Sequence, residues 1–239
     1  MQSAYSKEIK DSIKGTVIYD TYFVCEKESK SHMTKIIVED LDSVSSIIKH
    51  SKDCNGKMAV LNFSSYKNPG GMFISGSRAQ EECLCHDSFL YNVLREFVVE
   101  FYDWNNRHKT KALYLNRALY SPNIIFCKDG AHTPCSVITC ASPNKSAAQK
   151  YQNVSDDENP KALKSRIRFV LDIAKDNNVN TLILGAYGCG VFGQDPVEVA
   201  SIFREYLETS HKNCFEKVVF AIPEGRNNNL ETFKGIFNQ

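Results

Sequence analysis

Two adjacent carboxylates, Glu81 and Glu82, close the run Leu61-Asn-Phe-Ser-Ser-Tyr-Lys-Asn-Pro-Gly-Gly-Met-Phe-Ile-Ser-Gly-Ser-Arg-Ala-Gln-Glu-Glu82. Paired acids suit general acid–base work on a glycosidic bond. On a helix, neighbouring side chains point about 100° apart, so these two cannot flank one sugar as an opposed acid and base. They can divide the labour instead. One carboxylate accepts hydrogen bonds from ribose hydroxyls, and the other, protonated, gives its proton to the leaving oxygen. A helix N-terminus favours the ionised form of both. The acid therefore depends on the like charge beside it, and on a substrate that excludes water, to keep its proton. A lone Gln-Glu-Glu at a helix start is more often there to complement the helix dipole. The glycine-rich loop immediately upstream argues for the chemical role.

The elements that must position these acids can be read around them. Ala59 to Phe63 is an apolar run of strand length bounded by Ser64 and Ser65. Pro69-Gly70-Gly71 and Gly76 allow close backbone approach to a ligand and positive φ. Gln80-Glu81-Glu82 then opens an apolar-periodic segment, which puts both acids in a first helical turn. A second such junction is Leu182-Ile-Leu-Gly-Ala-Tyr-Gly-Cys-Gly-Val-Phe-Gly-Gln-Asp-Pro196, with Gly185, Gly188, Gly190 and Gly193 in the loop. Pro196 suits the first turn of the helix that follows. Successive backbone N–H groups at a strand–helix junction suit a diphosphate. The loop has neither the Walker Gly-Lys-Ser/Thr nor the dinucleotide G-x-G-x-x-G spacing. Many such loops are plain tight connections. Two in one small chain, one of them beside paired acids, point to glycosidic chemistry on a nucleotide.

Asn62 with Pro69-Gly70-Gly71 and Gln80-Glu81-Glu82, followed by Gly185-Ala-Tyr-Gly-Cys-Gly-Val-Phe192, resembles the microbial type of poly(ADP-ribose) glycohydrolase, a macrodomain family. The resemblance runs from about Val38 to Phe237 and takes in Ala141-Ser-Pro-Asn144 and Phe220-Ala-Ile222. Its most specific mark is the Gln-Glu-Glu element. It implies a three-layer α/β/α macrodomain with a mixed, mostly parallel sheet and an ADP-ribose cleft above the sheet. It makes Glu82 the catalytic acid and sets Glu81 on the ribose beside the scissile bond. Gly188, Cys189, Gly190, Val191 and Phe192 would hold the diphosphate, with Phe192 near the distal ribose. Asn62, Gly70, Gly71 and Gln80 would complete the substrate site. The implied activity is hydrolysis of O-glycosidic bonds of ADP-ribose, in poly(ADP-ribose) or on ADP-ribosylated proteins, with no cofactor. The alternative is a macrodomain that binds ADP-ribose without cutting it. One departure favours that alternative: Met72 stands where the family has a third glycine. Positive φ is uncomfortable for Met, so the loop is either shaped differently there or makes only a small excursion.

Composition bounds these expectations. A chain of 239 residues, 42% of them hydrophobic, can bury a full core, and a single domain over 1–239 is the natural reading. With 29 basic and 28 acidic residues the net charge is +1, which supports neither a nucleic-acid footprint nor a polybasic membrane patch. No apolar run approaches membrane-spanning length, and Met1 to Lys14 lacks a signal-peptide core. An intracellular monomer is expected. Nine cysteines, an odd number without a framework, read as free thiols in a reducing compartment. Cys83-Leu-Cys85-His86 looks like a metal cluster. Cys83 and Cys85 face different ways on a helix, however, and no partner pair exists, so no metal site is expected.

Residues 1–35 read as an accessory N-terminal segment, with a short helix over Ala4–Ile13, a β-rich Thr16–Cys25 and a polar turn over Lys27–Ser31. Strands are expected at 35–38, 58–63, 123–127, 136–140, 181–185 and 217–223, and helices at 42–50, 78–102, 160–177, 196–211 and 229–237. Their alternation predicts a mostly parallel sheet covered on both faces, with ligands beyond the carboxyl ends of the strands. Ser142 to Asn159 reads as a long polar connection forming a mobile rim near the cleft. Some single residues keep two readings. Asn62 is a strand-end turn residue or a hydrogen-bond partner of the distal ribose, and Asn144 a turn residue or a weaker ligand. Phe192 is core or ligand contact. Tyr66 and Phe73 stack on substrate or anchor the loop, and His86, one turn after Glu82, tunes the acid or is merely solvated. Cys189, flanked by glycines, has no His or Asp nearby in sequence to activate it as a nucleophile.

Overall fold

The structure, a computed structural model, describes residues 4–28, 33–225 and 227–238. Its strands are β1 (Val17–Tyr19), β2 (Lys35–Glu39), β3 (Lys57–Phe63), β4 (Ala118–Lys128), β5 (Ala131–Cys140), β6 (Val179–Leu184) and β7 (Lys217–Ala221). They form one sheet in the order β1-β4-β5-β3-β6-β7-β2. The five strands from β5 to β2 are mutually parallel, whereas β4 pairs antiparallel with both β5 and β1.

The central strands are buried on both faces, which is why they read as near-continuous apolar runs. Along β3, Ala59 and Leu61 enter one core with Leu182, Leu184, Val218 and Phe220, while Met58 and Val60 enter the other with Ile183 and Val219. The first core is covered by α7 (Glu158–Asp176), α8 (Pro196–Glu208) and α9 (Asn229–Phe237). The second is covered by α1 (Ser6–Gly15), α2 (Ser43–Ser51), α3 (Gln80–His86) and α4 (Leu90–Leu94). This is a three-layer α/β/α arrangement. Among the described residues no helix is long and apolar enough to cross a membrane.

Four local features depart from the sequence expectations. The helix expected over 78–102 is broken after His86. The Asp87 carbonyl accepts from Cys127 N–H of β4 at 2.6 Å, and Ser88 bridges Phe126, so the backbone leaves the helical ladder to pair with the sheet. Below α4 a 3₁₀ turn (Arg95–Phe97), a π-helical turn (Val98–Asp103) and α5 (Trp104–Arg107) follow. The strand expected at 123–127 belongs to a longer hairpin, closed by Asp129-Gly130 with φ of 50° and 78°. That is the Asp-Gly turn whose twist matches flanking strands. The N-terminal segment is built into the layers: Ile9 and Tyr19 are core residues, and β1 forms one sheet edge. Residues 29–31, the end of the polar turn after it, lie outside the described residues. Lastly, the 142–159 connection contains α6 (Lys145–Tyr151), seated through buried Ala148 on Leu113 and Val154. It is a packed element and not a structureless rim.

Candidate active site

Gln80 fixes the helix that carries the acids to the strand before it. Its Oε1 accepts from Phe63 N–H at 2.9 Å, and its Nε2 donates to the Leu61 carbonyl at 2.8 Å and to Ser43 Oγ at 3.1 Å. The amide therefore spans the end of β3 and the starts of α2 and α3.

Glu81 and Glu82 are both buried. Glu81 Oε1 accepts from Asn62 Nδ2 at 3.2 Å, and its Oε2 accepts from Ser65 N–H at 2.6 Å. Burial pushes the Glu81 carboxyl up to about 8; the Ser65 N–H and the Asn62 amide oppose this, and the Glu82 charge adds to it. The raised carboxyl is thus Glu81, the one that the resemblance sets on the ribose. Glu82 Oε1 accepts from Met72 N–H at 2.9 Å, and its Oε2 is buried with no hydrogen-bond partner among the described residues. Adjacent helix positions diverge at Cβ, yet both carboxylates curl onto Gly71. A Cβ there, at φ +60°, would lie 2.4 Å from Glu82 Oε1 and 3.0 Å from Glu81 Oε2. Only glycine lets the loop lie against both acids.

Met72 takes φ −108° and ψ 30°, an ordinary conformation for a side-chain-bearing residue. The departure from a third glycine therefore costs no strain, and the Met72 N–H is used on Glu82. Asn62 sits behind Glu81, fully buried, with Nδ2 also 3.3 Å from Thr139 Oγ1 and with Oδ1 unpartnered among the described residues. It does not line the cavity. Gly70 also lies off the cavity, against Tyr91 and Cys85. His86 turns to the Ser77 carbonyl and the Phe73 ring, so it does not touch Glu82.

The second glycine loop leaves the neighbouring strand β6. The cavity between the two loops measures about 480 Å³, with Gly71, Gln80, Glu81 and Glu82 on one side and Gly188, Gly190, Val191 and Phe192 on the other. The N–H groups of Gly190, Val191 and Phe192 engage no acceptor among the described residues. Cys189 breaks the run. Its N–H is bonded to the Ala186 carbonyl at 3.1 Å, and its thiol is buried in the core, where desolvation pushes it up to about 12. It faces away from the cavity, as a donor and as a nucleophile alike. Asn144 does not line this cavity: its Oδ1 caps α6 by accepting from Ala147 N–H at 3.0 Å, and the residue lines a second cavity beside it. From the same tetrapeptide it is Ser142 that lines the cavity, opposite Gly188. The signal for Ser142 was its place just past the carboxyl end of β5, where ligands of parallel sheets sit. Ser65, Asn68 and Ser77 line the cavity too and carried no separable sequence signal.

Acids at one strand tip and backbone N–H groups at the next thus face each other across one cleft. The family model for the catalytic domain of microbial-type PARG matches residues 2–129, more than half of the chain, and so includes the N-terminal segment. The poly(ADP-ribose) glycohydrolase from Deinococcus radiodurans, solved in complex with ADP-ribose, is 31% identical with a TM-score of 0.89, over 96% of this chain and 97% of that one. The poly(ADP-ribose) glycohydrolase from Thermomonospora curvata is 28% identical with a TM-score of 0.89, over 97% and 89%. Its complex with the inhibitor ADP-HPD is similar at 28% identity and a TM-score of 0.88, with the same coverage of 97% and 89%. No curated protein sequence matches the chain. The chain belongs to the microbial-type poly(ADP-ribose) glycohydrolase family, a family of glycosidases.

Proposed function

We propose that this cleft hydrolyses the O-glycosidic bond between ADP-ribose units of poly(ADP-ribose), and of ADP-ribose on modified proteins, with Glu82 as the general acid. The observation that carries this reading is the pair of buried carboxylates meeting at Gly71, one of them with an oxygen that has no hydrogen-bond partner among the described residues. The diphosphate lies on the N–H groups of Gly190, Val191 and Phe192. The adenine enters an adjoining cavity of about 250 Å³, which shares Phe63, Gln80 and Ala186 with the cleft and has apolar walls at Val44, Leu84 and Ile222. The distal ribose then sits over the acids.

Burial raises the Glu81 carboxyl to about 8, so a proton is held beside Glu82 at neutral pH. Both Glu81 oxygens are engaged by donors, so Glu82 Oε2 is the atom free to reach the leaving oxygen. As the C1″–O bond breaks through an oxocarbenium-like state, that oxygen takes the proton and departs as an alcohol. The carboxylate left behind and the diphosphate stabilise the cation. Water then adds to C1″ and returns its proton to the pair. Binding without cutting drew its support from a loop distorted at Met72, and the ordinary φ of Met72 removes that support. The test is to incubate the protein with poly(ADP-ribose) in chelator and follow free ADP-ribose. Release by the wild type and its loss in Glu82→Gln are expected. No release, or equal release by both, sinks the assignment.

A further inference from the structure

A second cavity, of about 380 Å³, opens beside the cleft and shares Ser65 and Phe192 with it. Ser65 is the residue whose N–H holds Glu81, so this cavity meets the cleft where the scissile bond lies in the reading above. The adenine cavity joins through a different set of residues. Lys67, Lys109 and Lys111 line the second cavity, and among the described residues no carboxylate does. Lys111 is paired with Glu158 at 3.0 Å, whereas Lys67 and Lys109 have no acidic partner among the described residues. Between the lysines an aromatic platform is fixed in place. Tyr114 stacks on Tyr66 with centroids 4.0 Å apart and 10° between planes, and Tyr66 Oη donates to the His108 carbonyl at 3.0 Å.

The backbone that builds this wall is strained. Thr110, Lys111 and Ala112 take φ of 42°, 52° and 64° in succession, and Tyr114 takes 64°. Left-handed residues with side chains are unfavourable, and they persist only where the surroundings impose them. Here the strained turn presents a lysine and a tyrosine to the cavity, and its Ala112 carbonyl accepts from Asn144 N–H at 3.0 Å.

We propose that this cavity seats the leaving unit of the polymer. When C1″–O breaks, the alcohol released is the next ADP-ribose unit, a nucleoside diphosphate. Its phosphates lie on Lys67 and Lys109 and its base lies against Tyr114. The proposal rests on the hydrolytic reading of the main cleft.

The test reverses the two unpaired charges with Lys67→Glu and Lys109→Glu together. In a Glu82→Gln background, calorimetry is expected to show a two-unit oligomer binding about tenfold tighter than ADP-ribose, a gap that the charge reversal erases while ADP-ribose affinity stays. In the active enzyme the same reversal is expected to lower kcat/KM on polymer about tenfold, yet leave cleavage of an aryl glycoside of ADP-ribose unchanged. Polymer cleavage within about twofold of wild type, or an equal loss on the aryl glycoside, overturns the proposal. A loss confined to proteins carrying one ADP-ribose unit also overturns it, and assigns the cavity to the acceptor protein. Wild-type protein that releases ADP-ribose from neither substrate refutes the hydrolytic reading itself, and this proposal with it.

Discussion

At the scale of single residues, the two glutamates separate by what each oxygen touches. Glu82→Gln is expected to keep ADP-ribose affinity while lowering kcat by about 10²–10⁴-fold, the usual contribution of a general acid; parallel calorimetry and turnover measurements check this. Glu81 has a folded-state consequence too. Its carboxyl is raised from 4.5 to about 8, so the folded protein binds this proton more tightly than the unfolded chain. The resulting stability is complete below pH 4.5 and is lost as pH rises through about 8. Thermal melts of Glu81→Gln between those limits should show a flatter pH dependence than wild type. Asn62 Oδ1, unpartnered now, is placed to accept from the new amide once the Asn62 side chain turns over. Gly188 and Gly190 of the second loop resist side chains for different reasons. Gly188 has φ +77°, and a Cβ would meet Ser142 Oγ at 2.3 Å, so Gly188→Ala should destabilise the fold by roughly 1–2 kcal/mol. A Cβ on Gly190 meets nothing within 4 Å. Gly190→Val should therefore melt like wild type but bind ADP-ribose more weakly, by roughly 1–3 kcal/mol.

At the scale of elements, features made by local rules could be read ahead and those made by distant partners could not. Asp42 before α2 is a local rule: its Oδ1 accepts from Val44 and Ser45 N–H, each at 2.9 Å. Burial would raise its carboxyl, but Lys128 and Ser45 outweigh that and hold it down to about 2. Asp42→Ala should cost about 1 kcal/mol at neutral pH. In wild type this contribution is present above pH 3.8 and fades as pH falls toward 2, which denaturant melts of both proteins can follow. The apolar periodicity over 78–102 was equally visible, and Leu84, Leu90, Leu94 and Phe101 are indeed core, although Val98 is exposed. Its continuity failed because the Asp87 carbonyl belongs to β4, about 40 residues away in sequence, which no helical period reveals. Asn144 and Ser142 could not be told apart for the same reason: Asn144 read as turn residue or ligand, and it caps α6 at the wall of the second cavity while Ser142 lines the main one. A cap and a cavity wall two residues apart separate only once α6 is in place.

At the scale of the molecule, alternating strands and helices announced the α/β class, because two-sided burial writes itself into apolar runs. The strand order was not legible, and it is the order that makes the site: β3 brings the acids, β6 brings the second loop, and the two are neighbours. That adjacency has a consequence for how the chain is made. β3 leaves the ribosome before β5 and β6, the strands that flank it on either side. Until Leu184 has been made, the middle of the future sheet has a bare edge, and Met58 to Leu61 is an apolar template for pairing with another molecule. A fragment of residues 2–129 holds both acids and neither strand that flanks them. It should aggregate when expressed alone and recover solubility when co-expressed with the remainder. A soluble 2–129 fragment that unfolds cooperatively would show that the nascent half can shelter its central strand unaided.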